Sequence, residues 1–61
     1  MKQYRIEWTN LSTNNKGHGV WFPSSDKEML QSTVSTCNKT YKGVIHHILK
    51  ERWINIYYGR F

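Results

Sequence analysis

One stretch of this chain, Ser24 to Gly43, carries helix signals at both ends and along one side, and strand-like segments flank it. Ser25 and Glu28 form an S-x-x-E pair, in which each side chain satisfies a backbone N–H at the helix start. Asp26 and Glu28 stand at the positive end of the helix dipole, and Lys39 and Lys42 near its negative end. Gly43 supplies the left-handed residue that stops a helix. Leu30, Val34, Cys37 and Tyr41 share one face. Ser32 to Thr36 is poor in helix formers, so this helix depends on what it packs against. Only the flanking segments are available for that.

Upstream, Tyr4, Ile6 and Trp8 alternate with Gln3, Arg5, Glu7 and Thr9, which is a strand with one apolar face. Asn14-Asn15-Lys16-Gly17 is a turn, because Asn and Gly tolerate positive φ at little cost. His18-Gly19-Val20-Trp21-Phe22 resumes an extended pattern until Pro23, making an antiparallel hairpin with a long loop. In that strand Val20 and Phe22 face the helix and Trp21 faces away. Downstream, Val44 to Leu49 fits a strand by β-branched content, yet Ile45, Ile48, Leu49, Arg52 and Ile56 also fit a helical stripe. Trp53 to Tyr58 is strand-like, and Lys50-Glu51-Arg52 between the two is a poor turn. The expected fold is α+β over residues 1–61 as one domain, in the order β-β-α-β with a further strand after it. It is a small antiparallel sheet of three to four strands with one face covered by a single helix. Tyr4, Ile6, Trp8, Val20, Phe22, Leu30, Val34 and Cys37 form most of the expected core.

So short a chain buries about 60% of its unfolded surface, and three Trp, four Tyr and two Phe partly compensate. The single cysteine excludes an internal disulfide and a cysteine-rich zinc site. No apolar run approaches a membrane span, and Met1-Lys2-Gln3-Tyr4 does not open a signal peptide. A cytoplasmic protein without a membrane partner is expected, as a monomer or a small homo-oligomer.

Function has to be sought in the charge. The net charge of +5 favours polyanions, although solubility alone accounts for a charge of this size equally well. Basic and aromatic residues interleave: Arg5, Lys16, Trp21, Lys50, Arg52, Trp53, Tyr57 and Arg60 lie on strands or strand ends. A sheet face of that composition can stack bases and hold phosphates. The same residue types dominate protein-binding hot spots, so a protein partner is the alternative. His18, His46, His47 and Cys37 are the soft metal ligands, but adjacent His46 and His47 point to opposite faces of a strand, so no metal site and no cofactor are expected. Catalysis is not expected either, because Cys37 is assigned to the core and the four acids are scattered.

Tyr4-Arg5-Ile6-Glu7-Trp8-Thr9-Asn10, Gly17-His18-Gly19, Asn38-Lys39-Thr40-Tyr41 and His46-His47-Ile48 together resemble short uncharacterised proteins of phages and large DNA viruses. The resemblance spans Tyr4 to Glu51 and implies a strand-strand-helix-strand fold and a viral or mobile-element origin. It implies no activity. The sequence thus reads as a non-catalytic viral-type module that binds nucleic acid through a basic-aromatic sheet face. The alternative is an effector that binds and modulates a host protein, through that patch or by strand addition at a sheet edge.

Overall fold

The computed structural model describes residues 1–54. It is an α+β fold in which one helix covers an antiparallel sheet. The elements are β1 (Lys2–Asn10), β2 (Lys16–His18), β3 (Phe22–Pro23), a 3-10 turn (Ser24–Asp26), α1 (Lys27–Thr40) and β4 (Ile45–Trp53).

β1 is the central strand. β4 runs antiparallel along its whole length, from Lys2 opposite Trp53 to Asn10 opposite Ile45. Gln3 pairs with both Arg52 and Pro23, so β3 lies on the opposite edge of β1 from β4. β2 pairs with Glu7, Trp8 and Thr9 further along. The expected second strand is therefore two short ones, interrupted at Gly19–Trp21. The Gly19 N–H still donates to the Ile6 carbonyl at 3.0 Å, and the chain then leaves the ladder until Phe22. Val20 falls in this break and is 70% exposed, so it is not a core residue. Alternation alone cannot register such a break.

The β1–β2 connection is built on Asn10. Its side-chain oxygen accepts the N–H groups of Ser12 and Thr13 at 2.9 and 3.2 Å, and its carbonyl accepts that of Asn14 at 2.8 Å. Asn14 takes the expected positive φ, 63°. Gly17 lies in β2, and its role differs from the expected turn. A Cβ there would fall 2.5 Å from the Trp8 indole nitrogen. The absent side chain makes room for Trp8, which lies across its cross-strand partner and remains 38% exposed.

α1 packs against β4 and β1. Leu30 and Tyr4 are the buried apolar side chains, 2% and 5% exposed, and Val34, Cys37, Ile6, Phe22 and Leu49 are half-buried around them. The Lys27 ammonium lies 5.4 Å over the Tyr4 ring and its stem extends the cover. The Ser25–Glu28 capping box does not form. Ser25 lies inside the 3-10 turn, so it cannot stand at the N-cap of α1, and the residue that does, Asp26, makes no side-chain cap. In the helix centre the Thr33 hydroxyl donates to the Met29 carbonyl at 3.0 Å, a local bond that contributes little to helix stability.

α1 ends at Thr40, and Gly43 takes φ 79° in the turn after it. Tyr41, the last residue of the apolar stripe, is exposed, with its ring 6.0 Å from that of His47. Lys50-Glu51-Arg52 is not a turn: β4 passes through it without a break, because every residue from 45 to 53 has a partner on β1. The strand reading of residues 44–49 holds over the helical one. The expected strand at Trp53–Tyr58 lies mostly outside the described residues.

One helical side chain acts as a piece of strand. The Asn38 amide accepts the His47 N–H at 2.7 Å and donates to the His47 carbonyl at 2.9 Å. His47 is 8% exposed, and its ring nitrogen Nδ1 lies 3.2 Å from the same Asn38 oxygen. Asn38 thus satisfies both outward-facing backbone groups of His47 and ties α1 to the outer edge of β4.

Candidate functional site

Residues directly opposite in an antiparallel ladder share a face, so the pairing sorts the side chains into two sets. Tyr4, Ile6 and Trp8, with Glu51, Leu49 and His47 opposite them, face α1. Gln3, Arg5, Glu7 and Thr9, with Arg52, Lys50, Ile48 and His46 opposite them, form the other face, joined by Lys16 and His18 from β2. α1 lies on the first face and leaves the second open.

The open face carries Arg5, Lys16, Lys50 and Arg52 against Glu7 as its one acid among the described residues. Trp21 is on this face, as expected, but its indole is not a free platform. The Arg5 guanidinium carbon lies 4.5 Å from the indole ring and that of Arg52 lies 4.1 Å from it. Each guanidinium is held by a polar neighbour on β1. Arg5 donates from Nε to Glu7 Oε2 at 2.8 Å, and its Nη2 lies 2.7 Å from the same oxygen. Arg52 donates from Nε and Nη2 to Gln3 Oε1 at 3.0 and 2.8 Å. Such contacts contribute about 0.5–1 kcal/mol each when exposed. They also fix the planes of two side chains that would otherwise be mobile. Lys50 stands directly opposite Arg5 and extends the positive charge.

Of the residues singled out from the sequence, Arg5, Trp21, Lys50 and Arg52 therefore come together, and Lys16 shares their face toward the β2 end. Trp53 does not join them. It is opposite Lys2 on the helix-side face, 71% exposed, with the Lys2 ammonium 4.9 Å from its ring and Lys2 also 3.4 Å from Glu51. Tyr57 and Arg60 lie outside the described residues.

Near the β2 end, the open face is indented by a shallow groove. Lys16 borders one side and His46 and Ile48 the other, with Glu7 and Thr9 between them. The Trp8–Gly17 pair lines its floor. No residue pattern marks Thr9, His46 and Ile48 as neighbours of Lys16, since they become so only through the register of both ladders. Among the described residues, no three of His, Cys, Asp and Glu converge as metal ligands, and no helix is long and apolar enough to cross a membrane.

No family model matches this chain, and neither a curated protein nor a solved structure does. The likeness of its short motifs to phage and viral proteins gains no support from these comparisons.

Proposed function

We propose that the protein is a non-catalytic module that binds single-stranded nucleic acid through the open face of its sheet. One observation carries this reading: four basic side chains share that face with one acid, and the acid is already paired with Arg5. Phosphate contacts of this kind supply affinity without sequence preference. Trp21 is not itself the stacking platform. Its ring already supports two guanidiniums, so bases would stack on the arginine planes, which serve that purpose as aromatic rings do. A single strand fits better than a duplex. α1 is on the far side of the sheet, so among the described residues the basic face has no helix to insert into a major groove. The viral origin and intracellular setting belong to the same proposal.

Fluorescence anisotropy with labelled single- and double-stranded oligonucleotides over a salt series tests it. The expected result is tighter binding to the single strand, with affinity falling steeply as salt rises. No binding to any oligonucleotide at low salt overturns the proposal.

A protein partner is the second reading, and the outer edge of β4 favours it. Beyond the Asn38 contact at His47, no strand among the described residues pairs with the edge of Leu49 to Trp53 that faces away from β1. An extended peptide adding there would bind through its backbone.

A further inference from the structure

We infer that the groove between Lys16 and Ile48 is the seat of a single unpaired nucleotide whose base carries an exocyclic amine. The inference rests on the nucleic-acid reading above and assigns it a base-specific position.

Two cross-strand rows make the groove. Lys16, Thr9 and His46 form one, and Glu7 and Ile48 belong to the next. The space they enclose is about 160 Å³, enough for one planar ring and too small for a folded peptide segment. Its borders differ in chemistry. Ile48 is an exposed apolar side chain, a surface against which a ring can lie. Lys16 across from it supplies a cation for the phosphate of the same nucleotide, and Arg5 and Lys50 lie one row beyond Glu7 for the phosphate of the next. Rows on one face of a strand are ~7 Å apart, which suits an extended single strand laid along β1.

The selectivity lies in Glu7. Both Arg5 contacts fall on Oε2. Among the described residues Oε1 has no partner, and Glu7 borders the groove. A carboxylate only accepts hydrogen bonds. It therefore favours a base with an amine N–H, as in the recognition of the cytosine N4 amine by acidic side chains. Thymine and uracil place a carbonyl oxygen, O4, where cytosine has that amine, and their one donor, the ring N3–H, lies between two carbonyls, so they are disfavoured. Arg5 holds the Glu7 carboxylate in place, so the ion pair positions the acceptor as well as the guanidinium.

The test compares the oligonucleotides dC6 and dT6, which hold ring size and charge constant, by anisotropy with the intact protein. The expected result is a preference for dC6 of about fivefold or more, abolished in Glu7→Val. Because that variant also frees Arg5 and can perturb folding, a second measurement uses the unaltered protein. Titration with cytidine 5′-monophosphate should shift the backbone amide NMR signals of Thr9, Lys16 and His46 before those of Gln3 and Arg52. Equal affinity for dC6 and dT6, or shifts centred on the Trp21 cluster, overturns the groove assignment and leaves the broader reading standing. Absence of binding to either oligonucleotide at low salt overturns both.

Discussion

At Asn38 and at Gly17 a single atom group decides local structure. Removing the Asn38 amide leaves the His47 N–H and carbonyl without their partner on the strand edge. An orphaned buried polar group costs about 1–3 kcal/mol, so Asn38→Ala should lower stability by roughly 2 kcal/mol, seen as a lower midpoint in urea. A midpoint equal to that of the parent would mean that water replaces the amide at no cost. Gly17→Ala places a methyl group where the Trp8 indole lies. Because Trp8 is partly exposed and can swing away, the expected loss is about 1 kcal/mol, within the usual range for overpacking. Truncating Trp8 removes the clash, so Gly17→Ala should cost less in a Trp8→Ala background, and a double-mutant cycle measures the difference. Neither role was legible in the sequence. Asn38 lies on the predicted helix with nothing to mark its partner nine residues away, and Gly17 reads as a turn glycine. Both depend on register, which local pattern does not specify.

At the scale of elements, α1 is held by its buried face and not by its ends. Leu30 is 2% exposed, while Ser25 makes no capping bond. Leu30→Ala should therefore cost about 3 kcal/mol, the usual penalty for emptying a buried leucine site. Ser25→Ala should stay within about 0.5 kcal/mol, as substitutions away from structural features do. Thermal melts of the two variants separate the cases, and a large loss in Ser25→Ala would mean that the 3-10 turn behaves as a cap in solution. The alternation of Tyr4, Ile6 and Trp8 and the stripe from Leu30 to Cys37 made the strand, the helix and their contact legible from residue spacing. Period-two alternation also put Trp21 on the correct face. What the spacing missed was continuity. The charged triplet Lys50-Glu51-Arg52 reads as a break, yet its backbone pairs fully with β1 while Lys50 and Arg52 lie on the open face and Glu51 on the other, toward Lys2. Charged side chains on an edge strand discourage a second copy of the same edge from pairing with it, which accounts for this composition in a strand. Conversely, the run from Gly19 to Phe22 looked continuous, and the ladder breaks there.

For the whole molecule, the question is whether net charge or its distribution governs binding. The open face holds Lys16 and Lys50, both exposed and without an ion-pair partner among the described residues. Lys39 and Lys42 are also exposed, but they lie at the end of α1 and in the turn after it, away from the open face. The double variants Lys16→Gln/Lys50→Gln and Lys39→Gln/Lys42→Gln lower the net charge by the same amount. A protein that attracts polyanions through net charge alone would lose affinity equally in both. A protein that binds through the open face should lose it only in the first. Each phosphate contact contributes about 0.7 to the slope of log affinity against log salt for single strands, so losing two should flatten that slope by roughly 1.4. The second pair should leave the slope unchanged. Both pairs spare the Arg5–Trp21–Arg52 cluster and its partners Glu7 and Gln3, so an altered slope cannot be attributed to loss of that packing. Equal flattening in the two variants would remove the open face as the binding surface, whatever affinity the parent protein has.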